Sequence, residues 1–304
     1  MSGPFELRPG RPGDLRETFG LSISVSGYRP SPTPEEIEGD WQRWRDLIEF
    51  NAALPGCYWI AEDEEGVVGY VHGVEFEGME ELTELAVCER ARGQGIARAL
   101  LEHCWPKPPT PELGRLAIAM GGNADLSLYT TFGAMPIVGH WAMIQTSKGY
   151  KERRSHETDP TERSIVALSP DKALAEWKRL EPEAIGHPRG ALHEFFARDR
   201  TCLAMLGSDG QAEALCWVSS HADIGPAVAV SSEALPDVVL AALDRVATTQ
   251  EPENLNIFVT TISWWLLRRL RLLGFRVEWP NWIMCSEPLP GLDRYLPTYP
   301  AHLL

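Results

Sequence analysis

The sequence predicts an α/β (α+β) protein made of two successive halves, each with a mixed, mostly antiparallel twisted sheet flanked by helices. Strand-like and helix-like segments alternate through residues 5–146, and a similar order returns after residue 164. The intervening residues 147–163 are polar, charged and nearly without apolar side chains. A chain of 304 residues is also too long for one ordinary core. We therefore expect domains at 1–150 and 164–304, joined by a linker at 151–163.

The first half is expected to run strand, two helices, three antiparallel strands, helix, strand, helix, strand. Thr33 is a good capping residue for the second helix, because Pro34 follows at the first helical position and Glu36 completes a capping box. An acidic turn at 62–66 separates two β-runs and predicts a hairpin. The strands are expected at 5–8, 57–61, 67–75, 82–87, 115–120 and 137–145, and the helices begin near 12, 34, 96 and 124.

The second half is expected to repeat this plan in a degenerate form. Strands are predicted at 200–205, 212–219, 224–230, 255–260 and 275–284, with helices at 233–248 and 263–273. Two short matches support a duplication: Phe132–Ala134 with Gly274–Arg276, and Trp141–Met143 with Trp282–Met284. Trp264 and Trp265 are expected in the core or in a domain contact.

Composition excludes several classes of function. A formal net charge of -15 argues against a nucleic-acid partner, because phosphates would repel such a surface. No apolar run is long enough to span a bilayer, and the N-terminus has no signal-peptide core, so we expect a cytoplasmic protein without a membrane partner. The six cysteines show no C-x-x-C pair and no histidine at metal spacing, which predicts buried free thiols and no metal site. They are Cys57, Cys88, Cys104, Cys202, Cys216 and Cys285.

Residues 82–101, LTELAVCERARGQGIARALL, combine an apolar strand, a glycine-containing turn and an amphipathic helix. Gly93 and Gly95 allow the backbone to approach a ligand closely. The first amides of the helix have no internal partners and lie at the positive end of its dipole, so they suit an anion such as pyrophosphate. The alternative is a ligand-free turn. Other phosphate loops do not fit, since Arg98 stands at the third glycine of G-x-G-x-x-G and no G-x-x-x-x-G-K-S/T occurs.

The turn resembles the R/Q-x-x-G-x-G/A signature of the GNAT N-acetyltransferase superfamily. Arg92–Ala97 match it as R-x-x-G-x-A, and Arg90–Gly95 match it in a second register. The element order of residues 5–146 is also that of the GNAT fold, so the chain resembles a tandem GNAT protein. The second copy lacks the signature: residues 229–237 contain no glycine and include Glu233 and Asp237.

The resemblance implies acetyl-CoA as co-substrate. In this family the pyrophosphate is held by the turn, the pantetheine amides by the end of the fourth strand, and an asparagine also contacts the cofactor. Glu89 departs from the proline that is frequent at that place, which lowers the expected cofactor affinity. The implied cofactor-binding residues are Leu85, Ala86, Val87, Arg92, Gly93, Gln94, Gly95, Ile96, Ala97 and Asn123.

Acetyl transfer to an amine needs a base for the amine and an acid for the departing thiolate. Tyr129, four residues before Gly133, matches the family's proton donor, and it could instead be a packing residue. Glu84 is the candidate base, because strand alternation places it with Leu82 and Ala86 on one face just before the thioester site. A solvated strand glutamate is the alternative. Glu81 and Glu75 are reserves, and His72 and His103 are expected to be packing residues.

Glutamates crowd residues 75–84, where this fold binds the acceptor. They favour a small cationic amine attacking directly in a ternary complex, although a solvated hairpin is an equal alternative. Two other functions stay open: a non-catalytic acyl-CoA sensor, and a peptide or protein N-acetyltransferase. A homodimer is a further expectation.

Overall fold

A computed structural model describes residues 5–26, 31–120, 122–157, 164–300 and 303–304. The chain divides into two compact units. The first contains the residues up to Ala117 together with Thr130–Gly133, and the second contains Ile118–Tyr129 and the residues from Ala134 onward. The predicted boundary near residue 150 therefore differs from the observed division, while the functional roles assigned to the two domains stay predictions.

The first unit is a twisted sheet with helices. Its strands follow the order β1-β2-β3-β4-β5, antiparallel except for the parallel pair β4–β5. This confirms the predicted mixed, mostly antiparallel sheet. The elements are β1 (Glu6–Pro9), α1 (Leu15–Val25), α2 (Pro34–Ala53), β2 (Gly56–Asp63), β3 (Gly66–Phe76), β4 (Met79–Val87), α3 (Ile96–Cys104) and β5 (Gly114–Ala119), the last two residues of which belong to the second unit.

Local sequence signals explain where these helices begin. The Thr33 hydroxyl accepts the amide of Glu36, and the Glu36 carboxylate accepts the amide of Thr33 at 2.8 Å, which is the predicted capping box. In α3 the buried side chains Ile96 and Leu100 lie one turn apart and face the sheet. The sequence thus fixes α3 directly behind the glycine turn.

A β-bulge interrupts the pairing of β3 with β4. His72 pairs with Glu84 but Gly73 pairs with Leu82, so Thr83 is the extra residue on β4. Strand alternation predicted Leu82 and Glu84 on one face, and this prediction is wrong because of the bulge. Glu84 shares the face of Tyr70 and His72, whereas Leu82 lies on the opposite face.

Two of the six cysteines correct the expectation of free thiols. Cys57 at the start of β2 and Cys104 at the end of α3 form a disulfide with Cα atoms 5.2 Å apart. The bond joins positions 47 residues apart, which only the packing of α3 on the sheet brings together. Elsewhere the expectation is met for Cys202, whose thiol is buried and whose pKa is raised by that burial to about 12.

Reduction of this disulfide is expected to lower the free energy of unfolding by about 4 kcal/mol, the size given by loop-closure entropy for such a separation. Guanidinium unfolding with and without a phosphine reductant measures it. The matched control is the double variant Cys57→Ala, Cys104→Ala, which should not respond to the reductant. An equal response in that control would mean that another group is being reduced.

The second unit contains two sheets. Strands β12-β6-β11 are antiparallel neighbours, and a separate antiparallel sheet has the order β13-β10-β9-β8-β7. The elements are α4 (Asn123–Thr131, whose last two residues belong to the first unit), β6 (Met135–Thr146), α5 (Ser147–Arg154), β7 (Ile165–Ala167), α6 (Pro170–Ile185), α7 (Gly190–Phe196), β8 (Thr201–Leu206), β9 (Ala212–Val218), β10 (Ile224–Ala229), α8 (Leu235–Thr249), β11 (Asn254–Thr260), α9 (Trp264–Leu272), β12 (Arg276–Cys285) and β13 (Tyr295–Leu296).

The segment expected to be a linker begins as a helix. Thr146 caps α5 by accepting the amide of Gly149 at 3.1 Å, and Tyr150 is buried with its hydroxyl 2.7 Å from Asp244. Arg154 also pairs with Asp244 at 3.1 Å. The buried ring of Tyr150, the hydrogen bond of its hydroxyl and the Arg154–Asp244 ion pair hold the segment in place. Composition did not reveal these contacts. Residues 158–163 of the expected linker lie outside the described residues.

Trp264 and Trp265 are exposed, with 68% and 50% of their surface accessible. The core part of their expected role is therefore wrong. They open α9, whose buried side chains are Leu266 and Leu270, so the two indoles lie on the solvent side of that helix. Their role in a contact stays a prediction.

Candidate functional site

The glycine turn lies between the end of β4 and the start of α3. A short 3₁₀ turn over Glu89–Ala91 follows β4. Gly93 and Gly95 then take positive φ values of 77° and 83°, in the left-handed region that favours glycine, and Gly95 caps the helix. The two glycines therefore allow the tight turn that leads from β4 into α3.

The amides of this turn are open to a ligand. Arg92 donates its amide to the Glu89 carbonyl at 3.3 Å. Within the described chain, none of the amides of residues 93–98 donates to a backbone or side-chain acceptor. A Cβ placed on Gly93 or Gly95 would meet no atom within 4 Å. Unpaired amides at the start of a helix, with open space in front of them, fit an anionic phosphate. Among the amides of residues 92–97, which were predicted to bind the pyrophosphate, only that of Arg92 forms a hydrogen bond within the loop.

The charges around the turn are unequal. The Arg90 guanidinium forms an ion pair with Asp63 and lies 3.5 Å from Glu65, so its charge is directed to the β2–β3 turn. That hydrogen bond from Arg90 lowers the pKa of Asp63 to about 2. Arg92 remains exposed and lies 3.8 Å from Glu89. Local attraction for an anion thus comes from the amides, the dipole of α3 and Arg92.

The C-terminal part of β4 extends beyond the residues that pair with β5. That ladder joins Met79–Leu82 to Gly114–Ala117, whereas β4 continues to Val87. On its other edge, Leu85–Val87 pair with β3. On the β5 side, the backbone of residues 85–87 therefore lies outside the ladder with β5. These are the residues that the GNAT resemblance assigns to binding the pantetheine amides.

Glu84 is half-buried and accepts hydrogen bonds from two hydroxyl groups. The Tyr70 hydroxyl donates to Oε2, and the Ser22 hydroxyl of α1 lies 3.4 Å from Oε1. Tyr70 is 1% exposed. Burial, with the neighbouring carboxylate, raises the pKa of Tyr70 well above its ordinary value, so the phenol keeps its proton.

The other acidic candidates are dispersed. Glu75 is exposed and Glu81 is 1% exposed, so the two reserves lie in opposite environments. Glu80 pairs with the buried Arg115 at 3.2 Å, and burial raises the pKa of the Glu80 carboxyl against the opposing effect of that pair. His72 contacts the Thr83 hydroxyl at 2.6 Å. Of the glutamates that crowd residues 75–84, only Glu75 and Glu77 are exposed.

Tyr129 and Asn123 belong to the second unit. Tyr129 is 6% exposed on α4, and burial, with Asp125 nearby, raises the pKa of its phenol. Its carbonyl accepts the amide of Ala134 at 3.2 Å. Asn123 is exposed at the first position of α4. The turn and Glu84 are thus described in one unit, and Tyr129 and Asn123 in the other.

In the corresponding turn of the second half, the carboxylate of Glu233 accepts hydrogen bonds from neighbouring groups. Glu233 lies between β10 and α8, and a hydrogen bond from its own backbone, with others from Ser231, Ser232 and Trp265, lowers the pKa of its carboxyl. Pro236, at the second position of α8, has no amide to donate. These features support a degenerate second copy, which lacks the glycine signature of the first.

Sequence reasoning missed a buried polar pair in the second unit. His140 of β6 and Asn281 of β12 are register partners on adjacent strands, 0% and 1% exposed. Within the described chain neither ring nitrogen of His140 and neither side-chain amide atom of Asn281 has a hydrogen-bond partner. Burial lowers the pKa of His140 to about 3. The sequence shows a histidine within an apolar strand, but it does not show that Asn281 lies opposite this histidine.

Membrane-spanning helices and metal-binding clusters are both absent from the described residues. No helix among them is long and apolar enough to cross a membrane. No group of three or more His, Cys, Asp or Glu side chains among them could hold a metal ion.

The part of the chain that contains this site resembles a known family. The family model of the acetyltransferase (GNAT) domain matches residues 55–133, which include β4, the glycine turn and α3. No curated protein sequence matches the chain.

Solved structures resemble almost the whole chain. A protein from Pyrococcus horikoshii described as an acetyltransferase is 16% identical, with 97% of this chain and 94% of that chain covered and a TM-score of 0.70. A tandem GNAT protein from the clavulanic acid biosynthesis pathway is 13% identical (93% and 99% covered, TM-score 0.58). Saccharomyces cerevisiae N-myristoyltransferase, solved with bound myristoyl-CoA, is 10% identical (95% and 85% covered, TM-score 0.58). Residues 55–133 therefore match a GNAT acetyltransferase domain, and the chain as a whole has a fold similar to the folds of these solved proteins.

Proposed function

We propose that the protein is an acetyl-CoA-dependent N-acetyltransferase that acts on the primary amine of a small cationic acceptor by direct attack in a ternary complex. The observation that supports this most is the open turn at residues 93–97, with its unpaired amides and the space in front of Gly93 and Gly95. Such a turn suits a pyrophosphate.

Each residue of the proposed site has one role. When bound, acetyl-CoA supplies an acetyl group activated as a thioester. The amides of residues 93–97 hold the pyrophosphate, the backbone of residues 85–87 orients the pantetheine arm, and Asn123 contacts the cofactor. Glu84 takes a proton from the acceptor ammonium through a water molecule, leaving a neutral amine. Tyr129, whose phenol keeps its proton, donates it to the departing sulfur.

Replacing Tyr129 with phenylalanine tests the enzymatic proposal. We expect kcat to fall roughly 100-fold or more, because proton donation of this kind contributes about 10²–10⁴ in rate. The dissociation constant of acetyl-CoA should stay within about twofold, as the turn is untouched. Steady-state kinetics with spermidine and calorimetric titration of acetyl-CoA measure the two quantities.

A matched control is Tyr150→Phe, which removes another buried phenol of the same unit, bonded to Asp244. It should lose stability and keep its rate. If the wild-type protein binds acetyl-CoA and transfers acetyl to no amine, the sensor alternative is correct. The Tyr129 variant would then bind acetyl-CoA like the wild type with no rate to lose.

The acceptor class is proposed from the exposed glutamates of the β3–β4 hairpin. Glu75 and Glu77 are exposed there and favour a cationic amine, whereas Glu80 is paired with Arg115. Competition between spermidine and a peptide amine separates small-amine from peptide acetylation. A cytoplasmic location and a homodimer complete the proposal, the latter because exposed apolar side chains such as Trp264 and Trp265 are typical of contact surfaces.

A further inference from the structure

The carboxylate of Glu84 is held by a hydroxyl group from each side. Tyr70 of β3 donates to Oε2, and Ser22 of α1 lies 3.4 Å from Oε1. The two donors come from different elements, so the position of the carboxylate depends on the packing of α1 against the sheet.

The sheet register explains why Tyr70 reaches this carboxylate. Tyr70 pairs with Ala86, and His72 pairs with Glu84. Residues opposite one another share a face, and diagonal neighbours lie about 7–8 Å apart, within reach of a tyrosine. Glu84 and Ala86 alternate regularly on the C-terminal side of the bulge at Thr83, so both lie on the face of Tyr70.

Apart from Glu84 and Ser22, Tyr70 packs among apolar side chains and edge-to-face against the Tyr58 ring. Its ring packs in a cluster with Ile60 and Ala86 and is 1% exposed. A buried hydroxyl without a partner costs about 1–3 kcal/mol, so the bond to Glu84 is strongly favoured. A hydroxyl that donates to a carboxylate stabilises the charged form more than the protonated form.

Other groups of β3, β2 and α1 also lie near this carboxylate. On β3, His72 lies opposite Glu84 and contacts Thr83, and on β2 the Tyr58 hydroxyl bonds Thr18 at 2.9 Å. Helix α1 contributes the uncharged Ser22.

We propose that Tyr70 is a positioning residue for the base, donating to Glu84 Oε2 and so keeping the carboxylate ionised and oriented for proton removal. In that step a proton leaves the acceptor ammonium and reaches the Glu84 carboxylate through water. The N–H bonding pair stays on nitrogen, which becomes a neutral nucleophile. The inference rests on the proposed function, because it assumes that Glu84 is the base.

Direct titration of Glu84 tests the inference without any acceptor. In protein labelled with ¹³C at glutamate side chains, the Glu84 signal is assigned by its loss in Glu84→Gln and followed from pH 3 to 9. Tyr70→Phe should raise the titration midpoint of Glu84 by about one to two pH units, the size expected for losing a hydrogen bond to a charged group. The ring is retained, and thermal unfolding checks the fold.

Tyr58→Phe is the matched control. It removes a hydroxyl from the adjacent strand that bonds Thr18 and not Glu84, so the midpoint should not move. Ser22→Ala should raise the midpoint by a smaller amount, because its contact is longer. This variant also keeps the test valid if Tyr70→Phe unfolds. A midpoint that stays fixed in folded Tyr70→Phe would overturn the inference, and if Tyr70→Phe does not fold, a fixed midpoint in Ser22→Ala would do so.

The pH profile of kcat/KM with acetyl-CoA and spermidine links the titration to catalysis. We expect the acidic limb of the profile to move with the midpoint in Tyr70→Phe and to stay in place in Tyr58→Phe. If the midpoint moves while Glu84→Gln retains full activity, Tyr70 still holds the carboxylate, and the base role within the proposed function is wrong.

Discussion

Replacing Gly93 and Gly95 together with aspartate is expected to abolish acetyl-CoA binding, whereas the asparagine pair should retain most of it. Both positions have positive φ, which Asp and Asn tolerate better than other side chains, and a Cβ at either meets no atom within 4 Å. The two substitutions therefore differ in charge and hardly in shape. Two carboxylates facing a pyrophosphate should weaken binding roughly 100-fold or more, about 2.7 kcal/mol.

Calorimetric titration of acetyl-CoA into the three proteins measures this difference. One equivalent bound by the wild type and lost in the aspartate pair would place the pyrophosphate at this turn. Equal losses in the aspartate and asparagine pairs would mean that backbone conformation, not charge, controls affinity. Two equivalents would show that the second copy binds as well, in spite of Glu233 and Pro236.

The parts of the fold that depend on local sequence could be predicted. The capping box at Thr33–Glu36 and the glycine turn before α3 each depend on residues within a few positions of one another. The order of the elements in the first half followed from such signals, whereas β7, α6, α7 and β13 of the second half were not predicted. The hairpin of β8 and β9, joined by a loop that includes Gly207–Gly210, is another example.

The features that escaped prediction are those that depend on distant parts of the chain. The Cys57–Cys104 disulfide requires the packing of α3 on β2. The pairing of β6 with β11 and β12 joins residues more than a hundred positions apart, and it moves β6 into the second compact unit. Composition and periodicity carry no information about such partners.

The residues of the candidate site stay predictions, and their geometry could not be predicted from the sequence. Glu84 could be selected from the motif, and it shares the face of Ala86 by simple alternation, whereas the face of Leu82 depends on the bulge at Thr83. Tyr70 could not be linked to Glu84, because the register between β3 and β4 is a property of the two strands together. A strand period of two gives the wrong face wherever one extra residue is inserted.

Acidification is expected to destabilise the protein through His140. The folded-state pKa of this imidazole lies near 3 because of burial, whereas the unfolded value is close to the ordinary 6.5. Between these values the unfolded chain binds the proton and the folded chain does not. The stabilising contribution is therefore complete above about pH 6.5 and is lost as the pH falls, by about 1.4 kcal/mol per pH unit.

The variant His140→Phe isolates this contribution. Phenylalanine keeps the stacking on Phe258, whose ring centre lies 4.7 Å from that of His140, and it removes two nitrogen atoms that lack partners in the described chain. Urea unfolding at pH 7, 6, 5 and 4.5 should show a much flatter pH dependence than in the wild type. His103→Gln, at an exposed histidine, should leave the slope unchanged.

The comparison at pH 7 adds a second, independent result. Burying a polar group without a partner costs about 1–3 kcal/mol, so His140→Phe should be at least as stable as the wild type there. Asn281, its register partner, keeps its unpaired amide in this variant, and Asn281→Leu should add a further gain of similar size. If His140→Phe is instead destabilised at pH 7 and keeps the wild-type slope, the imidazole must have a partner, such as a buried water molecule, that holds it in place. The destabilisation would then measure the strength of that contact.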